Sequence, residues 1–306
     1  MRCLCAVLAL LLNLSGIVPN FGRCSLVWAQ GAYQDTAAKL EGEKNFVAAA
    51  KVYGQAIKVL SADRKTTREN LGQLYFKRGY CYQRSGASEE AVRDLEQSIL
   101  YGYRGKHLER YLGEAYLNTS QFDKAIEVIN EGIEKAKGKD RKRLYTFYAL
   151  RAGAYKGKGD DVRQLADLTR AVENCDKPAR LLKERAIYFE WHKQWQKAIA
   201  DFDAIEAIEP LTASGLNSRA RCKMELKRYA EAVQDYTRSI ELEPKKAGLY
   251  VARAKAYQLL GKRALADADL KTVQALGEDF ELEIGKNQKQ RQKQQAEHKA
   301  AIDAKK

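Results

Sequence analysis

Ala213–Lys246 reads ASGLNSRARCKMELKRYAEAVQDYTRSIELEPKK, and Ala247–Phe280 reads AGLYVARAKAYQLLGKRALADADLKTVQALGEDF. Laid over one another, the two stretches agree at a step of 34 residues. Arg219-Ala220 falls on Arg253-Ala254, Tyr229–Ala232 on Arg263–Ala266, and Asp235-Tyr236 on Asp269-Leu270. A fixed period of this length belongs to a stacked array, in which each unit buries its apolar face against a neighbour rather than in one central core.

Carried outward, the same step gives seven units: 30–63, 72–105, 106–139, 145–178, 179–212, 213–246 and 247–280. Two short inserts, Arg64–Leu71 and Asp140–Leu144, interrupt them. Each unit holds two amphipathic helical segments joined by a Gly-containing or polar turn, such as Ser85-Gly86-Ala87 or Leu260-Gly261-Lys262. Small residues recur at position 8 (Ala37, Gly79, Gly113, Ala152, Ala186, Ala220, Ala254) and at position 20 (Ala49, Ala91, Ala125, Ala198, Ala232, Ala266). Short side chains at both places let two helix axes approach to about 8–10 Å. Large residues surround that contact at positions 11 and 24, from Leu40 and Tyr53 to Tyr257 and Leu270. Pro210 and Pro244 stop the second helices of their units.

This pattern resembles the tetratricopeptide repeat: large–small at positions 7–8, an aromatic at 11, Ala at 20, an aromatic at 24, a small residue at 27 and Pro at 32. The resemblance implies an all-α fold, a right-handed superhelical solenoid of seven helix-turn-helix repeats. Departures are local: Gln164 stands at position 20, Lys223 at position 11, and only two units carry the Pro. They leave the fourth unit with the weakest register.

One feature lies outside the common pattern. Position 7 is Arg78, Arg151, Arg185, Arg219 and Arg253, and position 23 of the same units is Asp94, Asp167, Asp201, Asp235 and Asp269. The units without the Arg, with Thr36 and Leu112, also lack the Asp, having Val52 and Val128. This covariation predicts a structural ion pair inside each of five units, joining its first helix to its second.

Before the array, Arg2, the apolar run Leu4–Leu12 and Val27-Trp28-Ala29 before Gln30 read as a secretory signal peptide over residues 1–29. The run is short for a membrane span, which needs about 20 apolar residues. Cleavage leaves a periplasmic or secreted protein with no membrane insertion; retention would leave a tethered one. After the array, residues 281–306 are polar and basic, expected as a solvated helix or as disorder. The formal charge is +14, two of those charges being Arg2 and Arg23 of the leader. The tail lacks aromatic residues for base stacking and bulky residues for insertion, so neither nucleic acid nor membrane is expected as partner.

No catalytic constellation emerges. His107, His192 and His298 are far apart, and Cys81, Cys175 and Cys222 of the array show no metal spacing. No phosphate loop or nucleophile elbow is present, so neither enzyme activity nor a cofactor or metal is expected. Asn118-Thr119-Ser120 is a glycosylation sequon in the turn of the third unit.

The resemblance also implies a concave groove lined by positions 2, 5, 9, 12 and 13 of the first helices. Carried over, these place Phe76, Tyr80, Arg84, Arg110 and Glu114 in it, then Arg180, Lys183, Asn217, Arg221 and Lys255. Rigid aromatics and guanidinium forks suit an extended or helical acidic peptide. The carboxylate clamp of chaperone-binding members is absent, since position 9 is Ala38, Tyr80, Glu114, Gly153, Ile187, Arg221 and Lys255. The expected function is an exported scaffold for protein or peptide partners, against a membrane-tethered assembly factor or an accessory subunit that positions a separate enzyme.

Overall fold

The computed structural model describes residues 24–62 and 66–277. Most of the expected leader and all of the basic tail lie outside these residues. Among the described residues there are fourteen α-helices and no strand.

The helices pair into hairpins, and the chain forms two compact units that divide between Lys137 and Gly138. The first unit holds three hairpins: α1 (Cys24–Gly42) with α2 (Phe46–Ser61), α3 (Arg68–Ser85) with α4 (Ser88–Leu100), and α5 (Leu108–Asn118) with α6 (Phe122–Ala136). The second holds four: α7 (Arg141–Lys158) with α8 (Asp161–Asn174), α9 (Ala179–Trp191) with α10 (Trp195–Glu206), α11 (Ala213–Glu225) with α12 (Tyr229–Leu242), and α13 (Ala247–Leu259) with α14 (Arg263–Ala275). Within each unit the second helix of one hairpin packs on the first helix of the next. This is an α-α solenoid. Arg68–Leu71 of the first insert and Arg141–Leu144 of the second are helical. Thr67 and Asp140 accept from the backbone N–H groups of Asn70 and Arg143, and the residues after them add a turn to the starts of α3 and α7.

The turn inside every hairpin is built alike. Position 15 is Lys44, Gly86, Ser120, Gly159, Lys193, Lys227 and Gly261, and all seven have φ between 56° and 87°. The next residue's N–H then reaches back to the carbonyl of position 11, at 2.8–2.9 Å in every hairpin, from Asn45→Leu40 to Lys262→Tyr257. This is the six-to-one bond of a Schellman cap, which needs a left-handed residue just past the helix end. The fourth hairpin keeps the same geometry at Gly159 and Asp160, so its register stands despite Gln164.

Close helix contact follows the small residues. Ala37, Ala186 and Ala220 at position 8, and the alanines at position 20, are fully buried. Gly79 and Gly113 sit closer still: a Cβ on either would lie 2.9 Å from Leu95 Cγ or 2.8 Å from Ile129 Cγ1. The large residues at position 24 (Tyr53, Leu95, Ile129, Leu168, Phe202, Tyr236) are 0–3% exposed. Full burial of such a side chain stabilises by about 1.5–3 kcal/mol.

The five Arg–Asp pairs close inside their hairpins as two-pronged forks. Nε and Nη2 of Arg78, Arg151, Arg185, Arg219 and Arg253 donate to Oδ2 and Oδ1 of Asp94, Asp167, Asp201, Asp235 and Asp269, at 2.6–2.9 Å. Aromatic rings flank the guanidinium on its own helix: Tyr75 and Tyr82 for Arg78, Tyr148 and Tyr155 for Arg151, Tyr250 and Tyr257 for Arg253, and Phe189 for Arg185, with 5.4–6.0 Å to the centroids. The hairpin where Lys223 replaces the aromatic solves the problem with charge. Lys223 Nζ donates to Asp235 Oδ2 at 2.7 Å, and Arg219 Nη1 reaches Asp203 and Glu206 of the preceding hairpin at 2.7 and 2.6 Å.

Asp201 is 6% exposed against 18% for Arg185. Asp201→Ala strands a mostly desolvated guanidinium and is expected to cost about 3–5 kcal/mol, whereas removing an exposed carboxylate costs about 0–1 kcal/mol. Urea unfolding of Asp201→Ala beside the exposed control Glu243→Ala decides it; equal midpoints would show that the forks contribute nothing.

Candidate functional site

In the first unit an aromatic shelf forms where α2, α3 and α5 come together. Tyr80 of α3 meets Tyr111 of α5 edge-on at 4.9 Å and Phe46 of α2 at 6.0 Å. Such ring contacts stabilise beyond their buried area and hold the rings rigid. Two guanidinium groups lie on the shelf, Arg84 5.4 Å over Phe46 and Arg110 4.2 Å over Tyr111. Arg110 donates to Glu114 at 3.2 Å one turn along the same helix, while Arg84 is exposed and makes no ion pair among the described residues. Tyr80, Tyr111 and Arg110 are half-buried, so each keeps a surface for a partner.

Phe76 corrects the expectation that it faces the groove. It is 8% exposed, stacked on Tyr103 at 4.6 Å and beside Tyr111 at 6.0 Å. It therefore supports the shelf from beneath and offers no surface itself. Tyr103, Tyr111 and Phe46 were not among the expected residues. Tyr103 stands in the α4–α5 connection, folded back over Gly72, whose Cβ would meet Tyr103 Cβ at 3.1 Å. No positional rule of the repeat reaches a residue in that connection.

In the second unit Arg180, Lys183, Arg221 and Lys255 are exposed and Asn217 is half-buried. Arg180 is bridged to Glu184 at 3.5 Å. The sequence reading missed two neighbours on α9, Ile187 and Trp191, which are 38% and 54% exposed. They occupy positions 9 and 13 of their repeat, so the register that selected Lys183 also reaches them.

The remaining chemistry-bearing groups serve the packing. Cys81 and Cys222 are fully buried, with their sulfurs directed at Glu41 and Glu190 of the preceding hairpins at 3.9 and 3.3 Å. Burial, then the neighbouring Glu41 charge, pushes the Cys81 thiol up to about 12, which leaves it a poor nucleophile. His192 is stacked on Tyr188 at 4.0 Å and tied to Tyr188 O and Asp161. Among the described residues no group of three His, Cys, Asp or Glu side chains could hold a metal, and no helix is long and apolar enough to cross a membrane. Asn118 of the sequon is exposed at the end of α5.

Burial raises the Glu114 carboxyl above the ordinary carboxylate range, against the opposing pull of Arg110 and Arg84. A raised folded pKa means stability that is full at low pH and is lost as pH climbs through that value. Glu114→Gln should therefore gain urea resistance relative to the wild type as pH rises above about 4.3, the ordinary glutamate value. A difference in midpoint that does not change with pH would contradict this.

Residues 72–101 and 213–246 match the family model of the tetratricopeptide repeat. Among curated proteins, the chain is 32% identical over 101 residues to the 58 kDa phosphoprotein of Plasmodium berghei, covering 33% of this chain. It spans 24% of that relative's length. It is 24% identical over 237 residues to mitochondrial import receptor subunit TOM34 of Homo sapiens, covering 65% of this chain and 76% of that protein. Among solved structures, the C-terminal part of a TPR repeat-containing protein from Cytophaga hutchinsonii superposes with a TM-score of 0.66 at 19% identity, covering 79% of this chain and 94% of that one. That likeness is one of fold. The α3/α4 and α11/α12 hairpins thus match the tetratricopeptide repeat, and the fold resembles that of the TPR repeat-containing protein from Cytophaga hutchinsonii.

Proposed function

We propose that this chain is a non-catalytic interaction scaffold that holds a protein or peptide partner against the exposed faces of its first-of-hairpin helices. The shelf of the first unit carries the reading. Tyr80 and Tyr111 are locked edge to edge, and Arg84 and Arg110 lie on rings beside them. A rigid aromatic surface binds at low entropy cost, and Arg84, laid on its ring with no ion pair among the described residues, has its fork open to a carboxylate. An acidic segment is the partner this chemistry selects. The likeness to a protein named as a mitochondrial import receptor subunit supports a receptor-like role toward other polypeptides.

Export is part of the proposal and rests on Leu4–Leu12 and Val27-Trp28-Ala29. Helix α1 begins at Cys24, so cleavage before Gln30 would remove its first residues and leave Gln30–Gly42 to pack on α2. N-terminal sequencing of protein purified from its own cells is expected to start at Gln30. A start at Met1 would replace export by the tethered reading.

The binding test uses the full-length chain as bait in its own cell extract. Tyr80→Ala and Arg84→Glu should each lower recovery of a stoichiometric partner about tenfold, equivalent to about 1.4 kcal/mol, with an unchanged circular dichroism spectrum. Undiminished recovery with both variants would remove the shelf from the binding surface.

A further inference from the structure

The exposed face of α9 is unlike that of the other first helices in the second unit. Arg180, Lys183, Ile187 and Trp191 follow at steps of three and four residues, which places them in one stripe along the helix. The buried residues of α9, Leu181, Leu182, Ala186, Tyr188 and Phe189, occupy its other faces. At positions 9 and 13 the other first helices of the unit carry Gly153 and Gly157, Arg221 and Glu225, and Lys255 and Leu259. Only α9 sets two large apolar side chains there, one turn apart. Trp191, 54% exposed, is the largest apolar side chain that the described residues leave open to water.

Cations hold the corresponding places on this helix and the first helices that follow it. Lys183 lies one turn before Ile187, and Arg221 and Lys255 stand at the matching position 9 of α11 and α13. All three are exposed and make no ion pair among the described residues. The acidic groups nearby are mostly engaged: Glu184 is held by Arg180, and Glu190 faces the Cys222 thiol at 3.3 Å. Glu225, at the end of α11, is the one exposed carboxylate among these inner positions. An apolar anchor on a face whose register positions otherwise carry unpaired cations is complementary to one kind of partner, because buried aromatic contact supplies affinity and the charges supply steering and orientation.

We propose that the α9 face of the second unit is a docking surface for an acidic segment that presents a bulky apolar side chain, seated on Ile187 and Trp191 with its carboxylates on Lys183 and Arg221. The inference rests on the scaffold reading of the chain but not on the shelf of the first unit, so the two can fail separately.

The test measures fluorescence polarisation of a labelled, capped twelve-residue peptide with two leucines one helical turn apart and four flanking glutamates. Its binding partner is the full-length chain. A matching peptide with lysines in place of the glutamates serves as control. The wild type should bind the acidic peptide at least tenfold more tightly than the basic one, and less tightly as salt is raised. Trp191→Ala and the double change Lys183→Glu with Arg221→Glu should each weaken it tenfold or more, Trp191→Phe should restore most of the loss, and Arg84→Glu in the first unit should leave it unchanged. All these positions are exposed, so circular dichroism should show folded variants. No saturable binding of the acidic peptide, equal binding of both peptides, or binding that survives Trp191→Ala would overturn the proposal. Loss on Arg84→Glu alone would move the site to the first unit and overturn it as well.

Discussion

A guanidinium fork closed on a carboxylate, between two helices whose contact is otherwise apolar, recurs in five of the seven hairpins. Its cost is the desolvation of two charges, and its return depends on geometry. Here the geometry is two-pronged in every case, and rings or further charges occupy the flanks of the arginine. The fork therefore fixes not only the distance between the two helices but their axial offset, since a shift of one residue would open both bonds. Alanine against a large side chain at positions 8 and 24 sets how near the helices come; the fork sets where along their length they meet.

Three of these arginines also look backward along the array. Arg219 reaches Asp203 and Glu206, Arg253 Nη1 donates to Thr237 at 3.0 Å, and Arg78 Nη1 lies 3.4 Å from the place a Cβ on Gly54 would take. Asp203, Thr237 and Gly54 are all position 25 of the preceding hairpin. An interaction within a repeat is thus extended into one between repeats, which is where the stability of a linear array is decided. With the packing residues committed in this way, the exposed faces of α3, α5, α9, α11 and α13 are left free to carry recognition.

The proposed recognition differs between those faces. In the first unit it takes the form of rings held against rings with guanidinium groups laid on them. In the second it is a short apolar stripe among unpaired cations. Both proposals name an acidic partner for the same reason: Arg84 on the one face, and Lys183, Arg221 and Lys255 on the other, are exposed cations with no ion pair among the described residues. Glu114 qualifies this in the first unit. A carboxylate already beside Arg110 is half desolvated, so an incoming acid meets a site in which one of its two arginines is partly engaged.

The sequence by itself determined the period, the hairpin as the repeating piece, the close contact at positions 8 and 20, and the Arg–Asp partnership. Each of these is a relation at fixed spacing, and covariation of Arg with Asp across seven units is visible in a string of letters. The left-handed residue at position 15 was hidden, because Lys and Ser fill it in four hairpins where Gly would have announced it. Lys223 read as a defect in the aromatic pattern, since its partner Asp235 was already assigned to Arg219. The shelf was half legible: Tyr80, Arg84 and Arg110 follow from register, but Phe76 turned inward and Tyr103 and Tyr111 joined. Only tertiary structure decided those three, because a side chain's exposure is set by what the neighbouring hairpin and its connecting loop place over it. Position in a repeat tells which way a residue points, and packing of the next element tells whether anything remains for a partner to touch.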